Sequence, residues 1–168
     1  MATRKLSFLE SPKEDFEALV RTPACVLGVR TVGESVSEIV FLPEATKLQR
    51  ARSAVAQEFC RQLALYLNHP EFTFDLPIKT GGTDFQREVW SQMRQIPSSR
   101  TLTYGEIAAR LNSSARAVGQ ACGANRLPIV IPCHRIVAKQ GIGGFAHRAA
   151  GFPVNVKRWL LAHERPEW

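Results

Sequence analysis

The amino-acid sequence predicts an α+β protein: a small N-terminal α/β domain with an antiparallel sheet over residues 1–80, followed by a mainly helical domain over residues 81–168. Three observations carry that prediction. Two apolar runs joined by a glycine turn stand near the front, two helix-capping boxes stand in the back half, and the charge balance changes between them. A length of 168 residues fits one domain or two small ones. With 45% hydrophobic and 22% charged residues the chain can bury a core, which argues against wholesale disorder.

The elements follow in order. After a polar N-terminus read as irregular, the run from Ala24 to Val32 reads as a buried strand, Gly33-Glu34-Ser35 as a turn and Ser37 to Leu42 as the hairpin partner, stopped by Pro43. Val55, Phe59, Leu63, Tyr66 and Leu67 recur at spacings of three and four, predicting a helix from about Ala45 to Asn68. Phe72, Phe74 and Leu76 alternate with polar residues, as in a short strand or an extended packed segment. Pro77 to Gly82 is read as the break between domains.

Beyond it, Thr83-Asp84-Phe85-Gln86 is a capping box opening a helix whose inward stripe is Phe85, Val89, Met93 and Ile96. Thr103-Tyr104-Gly105-Glu106 is a second box, opening a short helix with Ile107, Ala108 and Leu111 inward. Asn112-Ser113-Ser114 turns the chain into a helix from Ala115 to about Ala124, built largely of Ala and Gly. A short helix, a polar turn and a small-residue helix carrying Arg116 form a helix-turn-helix pattern. The small side chains suit either close packing on a neighbour or approach of a DNA backbone, and the two uses fit different faces.

Charge supports a polyanionic partner. Residues 1–80 hold ten Lys/Arg against ten Asp/Glu, whereas residues 81–168 hold twelve against five. Ten of those twelve are Arg, the better reader of phosphates and bases. No apolar run approaches the ~20 residues a membrane helix needs, and no signal peptide is read behind Met1, so a cytoplasmic location is expected. Cys25, Cys60, Cys122 and Cys133 are widely spaced, without a Cys-x-x-Cys pair, so neither a metal site nor a disulfide framework is expected.

Cys133 calls for a separate argument. Leu127 to Ile131 and Ile136-Val137 are apolar, β-branched runs flanking Pro132-Cys133-His134-Arg135. Proline fits poorly in a central strand, so the chain is expected to leave a ladder here and present Cys133 at a pocket floor. A thiol reacts as thiolate, and at an ordinary pKa of ~8.5 only a few per cent is ionised at neutral pH. His134 and Arg135 are the nearest candidate activators, although consecutive residues of an extended chain point oppositely.

At these residues the chain resembles the O6-alkylguanine-DNA alkyltransferases, also called methylated-DNA–protein-cysteine methyltransferases. The likeness rests on Pro132-Cys133-His134-Arg135-Ile136-Val137 and on Gly82 to Trp90. It also takes in Tyr104 to Ala108, Ala115 to Gly119, Asn125, and Lys157 to Glu164. It implies a ribonuclease-H-like front domain and a winged helix-turn-helix back domain. It further implies irreversible, stoichiometric transfer of an alkyl group to Cys133 from O6-alkylguanine, and from O4-alkylthymine, in double-stranded DNA. By the same resemblance His134 deprotonates Cys133 through a water and Glu164 orients His134. Asn125 braces the cysteine turn, and Tyr104 holds the rotated nucleotide and protonates the departing guanine. Arg116 fills the gap in the duplex, with Ala115, Ala117 and Gly119 along the DNA face. Cys122, Pro128, Phe145 and Ala146 would line the substrate pocket. No cofactor is implied, and the protein is expected to be a monomer that can bind DNA cooperatively.

Two departures stand out. The family's Tyr-Ala/Ser-Gly-Gly closing loop is replaced by Phe145-Ala146-His147-Arg148, without its hydroxyl donors, and Ala149 to Pro153 reads as an insertion. Cys122 stands where relatives carry an apolar wall residue. The rival readings are a non-catalytic alkyltransferase-like protein that binds the lesion, a helix-turn-helix regulator and a thiol hydrolase. Cysteine at position 133 argues against the first, Pro-Cys-His-Arg has no use in the second, and no oxyanion hole is evident for the third.

Overall fold

The computed structural model describes residues 15–147 and 151–168. Residues 1–14 of the predicted irregular start, and Arg148, Ala149 and Ala150 of the predicted insertion, lie outside them. The architecture is mixed α/β. A three-stranded antiparallel sheet of order β1-β2-β3 is formed by β1 (Ala18–Arg21), β2 (Val26–Val32) and β3 (Ser35–Leu42). The hairpin reading holds, with Gly33 at φ 58° in the turn, a conformation glycine adopts without steric penalty. The strand β1 was not anticipated, because its four residues, Ala18-Leu19-Val20-Arg21, give no clear alternation.

The first helix, α1 (Ala54–Asn68), starts nine residues later than the predicted Ala45. Ser53 caps it through the Ala56 amide, and the stretch before it runs extended beside β1. There Gln49 and Leu19 exchange backbone hydrogen bonds at 3.0 Å, and the Arg52 amide donates to Glu17 O. Sheet-edge pairing thus outcompetes helix propensity over these residues. Phe72 to Leu76 is extended but joins no ladder. Gln62, buried in α1, donates to Asp75 O at 2.7 Å and accepts from Asp75 N at 2.8 Å, pinning the segment. The stretch read as the domain break is itself bonded to β3, through Val36 N to Pro77 O and Lys79 N to Val36 O.

Helix α2 (Asp84–Arg94) carries the complete Thr83/Gln86 capping box, and its buried face includes Trp90 beside Val89 and Met93. Next come β4 (Leu102–Thr103), α3 (Tyr104–Arg110) with the Thr103/Glu106 box, and α4 (Ala115–Gly123) capped by Ser114. A single 3-10 turn over Cys133–Arg135 leads into β5 (Ile136–Val137), which pairs in parallel with β4. The chain ends on α5 (Phe152–Glu164). The main core runs without interruption from Leu27 and Phe59 to Ile107, Ile131 and Leu160, so sheet and helices share one interior. A smaller cluster around Phe16 and Val40 covers the sheet's other face. Among the described residues, no helix is long and apolar enough to cross a membrane.

The capping geometry gives a first expected outcome. Thr83→Ala should destabilise the protein by about 1 kcal/mol, because the amide of Gln86 loses its acceptor, while Thr83→Ser keeps most of it. Urea titration of the two variants checks this.

Candidate active site

The segment predicted to be a strand before Cys133 is instead a tight turn. Pro128 and Ile131 bridge across it, the Ile131 amide donates to Leu127 O at 2.8 Å, and Ile129 takes φ 74°. A β-branched residue in the left-handed region costs on the order of 1–3 kcal/mol and persists only where its surroundings impose it. Asn125 imposes it. Its Nδ2 donates to Ile131 O at 2.9 Å and its Oδ1 accepts from Leu127 N at 2.9 Å, so one side chain closes both ends of the turn. The edge of β3 holds the outside, through Ile39 N to Arg126 O at 2.9 Å. A rigid turn with no ladder to satisfy then delivers Pro132 and the Cys133 3-10 turn.

That 3-10 turn separates neighbouring side chains. Cys133 faces a cavity, whereas His134 is fully buried on the other side, with Nε2 2.8 Å from Glu164 Oε1. Glu164 can only accept, so Nε2 carries the hydrogen and Nδ1 presents its lone pair. His134 Nδ1 is buried without a protein partner. Burial lowers the pKa of His134, against the pull of Glu164, and keeps the ring neutral. Arg135 meets the same carboxylate with two donors, at 3.0 and 2.9 Å, and donates to Ile96 O at 2.6 Å. The Tyr66 hydroxyl, from α1, adds a fourth hydrogen bond to Glu164 at 2.8 Å. Burial pushes the Glu164 carboxyl up, but His134 and Arg135 outweigh it and hold the pKa at about 2.

Opposed influences act on Cys133. Burial raises its pKa, while the Asn125 side chain, the Lys157 ammonium and the amides of Cys133 and His134 lower it. Lys157 is fully buried, donates to Ile136 O at 2.6 Å and Gly144 O at 2.9 Å, and lies 5.7 Å from the Tyr104 ring centroid. Burial lowers its pKa to about 8, with Cys133 and Cys122 acting the other way. Tyr104 opens α3 and donates to Gly144 O at 3.2 Å; burial raises its pKa, so it is a phenol at neutral pH. Cys122, half-buried, is likewise kept a thiol by burial.

A cavity of about 310 Å³ joins these groups, bounded by Tyr104, Gly119, Cys122, Cys133, Phe145 and Ala146. Its mouth lies beside α4. Trp90 Nε1 anchors that helix by donating to Ala121 O at 2.8 Å, and Val118 and Ala121 bury its inner face. Ala115 and Arg116 are exposed, and Ala117 and Gly119 are half-buried. A Cβ on Gly119 would meet nothing, so this face is open to a close partner. Gly123 has a different reason: a Cβ there would lie 2.2 Å from the His147 ring, which rests on the helix end. Pro128 lines the neighbouring space on the β3 side of Cys133. Among the described residues no three His, Cys, Asp or Glu side chains are grouped to hold a metal ion.

The structure therefore gathers Cys133, Tyr104, Cys122, Phe145 and Ala146 at one cavity, with Asn125 and Pro128 lining the adjoining one and His134 and Glu164 joined behind Cys133. Arg116, Ala115 and Ala117 lie on the adjoining helix outside that cavity, and Gly119 of the same helix borders it. Tyr66 and Lys157 were missed as site residues. Tyr66 read as one more apolar-face residue of a helix, and Lys157 as one more cation of a basic half; only a polar atom at full burial distinguishes them.

Comparisons with known proteins identify relatives of this chain. A family model described as 6-O-methylguanine DNA methyltransferase, DNA binding domain, matches residues 84–166. Over 92 residues the chain is 48% identical to the methylated-DNA–protein-cysteine methyltransferase of Salmonella typhimurium, covering 53% of this chain and 51% of that one. Over 108 residues it is 40% identical to the constitutive methylated-DNA–protein-cysteine methyltransferase of Bacillus subtilis, covering 62% and 63%. These matches thus span between half and two thirds of the relatives' length. Solved structures reach further. The Mycobacterium tuberculosis OGT in complex with DNA aligns with a TM-score of 0.74 at 30% identity, over 88% of this chain and 92% of that one. The O6-methylguanine methyltransferase structure from the same organism aligns with TM-score 0.74 at 30% identity, over 89% and 92%.

Two outcomes follow from the charges. Glu164 falls from 4.5 unfolded to about 2 folded, so its contribution, about 3 kcal/mol, is present above pH 4.5 and lost as pH falls towards 2. His134, also lowered, works in the same direction below its ordinary pKa. Glu164→Gln should cost about 3–5 kcal/mol at neutral pH by leaving Arg135 unpaired, and flatten the acid limb of a stability–pH curve. Lys157→Met should move the pH midpoint of Cys133 alkylation by iodoacetamide upward, since the cation favouring the thiolate is gone, and Lys157→Arg should restore part of it.

Proposed function

The chain belongs to the 6-O-methylguanine DNA methyltransferase family, and from that premise we propose that it repairs alkylated DNA by direct reversal, once per molecule. The substrate is O6-alkylguanine in double-stranded DNA, with O4-alkylthymine as a second. The observation that carries this reading is the buried His134–Glu164 pair directly behind Cys133, at 2.8 Å and braced by Arg135 and Tyr66.

The steps follow from the groups in place. Helices α3 and α4 act as the helix-turn-helix of a winged domain over residues 81–168, and the low-relief face of α4 lies along the DNA. The damaged nucleotide is rotated into the 310 Å³ cavity, and Arg116 takes its place in the duplex. The thiol proton passes through a water to His134 Nδ1. The resulting imidazolium is stabilised by Glu164, in the nucleophile–base–orienter arrangement. Lys157 and the nearby amides favour the thiolate. Sγ then attacks the alkyl carbon: the C–S bond forms, the C–O6 bond breaks, and the Tyr104 hydroxyl supplies a proton to the departing guanine. Among the described residues, none that lines the cavity can hydrolyse the thioether product. With Phe145 and Ala146 in place of the hydroxyl-bearing loop, contacts to the base come from backbone amides and apolar walls. The front domain over residues 1–80, ribonuclease-H-like by resemblance, serves as the scaffold, and the protein acts as a monomer that can line up along DNA.

Duplex DNA carrying labelled O6-methylguanine tests the reading. About one equivalent of label should appear on the protein, and none with Cys133→Ser, because thioether formation is irreversible. Arg116→Ala should retain transfer from the free modified base while slowing transfer from duplex. Label surviving Cys133→Ser, or saturation well below one equivalent, would sink the proposal.

A further inference from the structure

Alkyl transfer uses one thiol of the cavity, and a second thiol stands in the same wall. Cys122 and Cys133 both border the space of about 310 Å³ beside α4, and both border its continuation towards β3. Asn125 ties their backbones together. Its amide donates to Cys122 O at 3.2 Å, and its Nδ2 reaches Ile131 O, which also accepts the Cys133 amide at 2.8 Å. Burial raises the pKa of both thiols and the Lys157 ammonium lowers both, so one buried cation serves the pair. Cys25, just before β2, and Cys60, on α1, are not among the residues lining this space.

A pocket wall needs only apolar surface, and a thiol adds chemistry to it. Peroxide turns a reactive cysteine into a sulfenic acid. With a second thiol beside it the reaction stops at a disulfide, whereas without one it proceeds to sulfinic and sulfonic acids that thiols do not reverse. Hydrogen peroxide needs about the room of two waters, on the order of 60 Å³, so the cavity admits it. Cys122 lies in the last turn of α4, where helix ends fray and the backbone adjusts most easily to disulfide geometry.

We propose that Cys122 is the resolving thiol of Cys133, and that the two form a reversible disulfide when the unreacted protein meets peroxide. The Cys133 thiolate attacks one peroxide oxygen; the S–O bond forms, the O–O bond breaks and hydroxide leaves. Cys122 then attacks the Cys133 sulfur; the S–S bond forms, the S–O bond breaks and water leaves with the Cys122 proton. The two thiols are oxidised to one disulfide and the peroxide is reduced to two waters. A small dithiol reverses it by exchange. The disulfide stands on the cavity alone, while its use, to preserve a single-use acceptor, rests on the alkyl-transfer reading above.

The full chain, free of DNA, is treated with hydrogen peroxide, blocked with iodoacetamide and digested with trypsin. Arg126 stands between the two cysteines, so they fall into separate peptides, 117–126 and 127–135. Mass spectrometry should find these two peptides joined, lighter by two hydrogens. Methyl-accepting capacity should fall by about tenfold or more and return nearly in full with dithiothreitol, since a disulfide is reducible and the higher acids are not. In Cys122→Ala, scaled to its own untreated capacity, the same dose should leave a loss that dithiothreitol does not restore, with Cys133 found as sulfinic acid. Cys133 as sulfinic acid in the unmodified chain overturns the proposal. So does Cys133 left unoxidised, joined to Cys25 or Cys60, or joined to a second molecule. Equal recovery in the variant removes Cys122 from the role. If the variant does not fold, the peptide map of the unmodified chain decides. A joined pair in a protein that never accepts methyl overturns the alkyl-transfer reading and leaves the disulfide standing.

Discussion

The carboxylate of Glu164 is the point on which the rest of the site depends. It is the last residue of α5, and it accepts from Tyr66 on α1 and from His134 and Arg135 on the 3-10 turn. A buried anion is tolerated only where several donors surround it, and here four hydrogen bonds do so. The partners come from positions 98, 30 and 29 residues away in sequence, so one side chain fixes three distant elements relative to one another. Arg135 extends the tie to Ile96, just beyond α2. The imidazole therefore cannot turn towards Cys133 without breaking a hydrogen bond to a charged acceptor. Its tautomer, and hence the availability of Nδ1, is set by the fold.

Around the thiol the balance is different. Burial opposes ionisation, and the favourable influences are spread over Asn125, Lys157 and two amides. Burial lowers the pKa of Lys157 itself to about 8, and its ammonium donates to two backbone carbonyls, Ile136 O and Gly144 O. Cation and thiolate each make the other easier to bury. The site thus keeps Cys133 as a thiol at rest while storing the means to ionise it.

Much of this was legible in the sequence, for reasons that differ by element. The two capping boxes and the β2–β3 hairpin follow from local chemistry within a few residues, and each stands where it was read. The start of α1 was misplaced because Gln49 pairs with Leu19 of β1 and Arg52 bonds to Glu17 just before it, partners some thirty residues away. The run before Cys133 was misread because β-branched residues suit a strand. What bends them is the Asn125 side chain and the positive φ of Ile129, neither visible as periodicity. Tyr66 and Lys157 were hidden for a similar reason: a polar atom's role at full burial depends on which elements close over it.

The same features bear on why such a reagent should be built this way. If each molecule reacts once, a thiol lost to oxidation or to a stray electrophile is lost permanently, and the thiolate is the vulnerable form. Burial that raises the pKa of Cys133 then preserves the protein until use. The activating groups need act only when a substrate fills the cavity and excludes water, where the influence of Lys157 and of the amides on the reacting sulfur is strongest. A catalyst that turns over would be penalised by a resting thiol this protonated. A single-use reagent is protected by it.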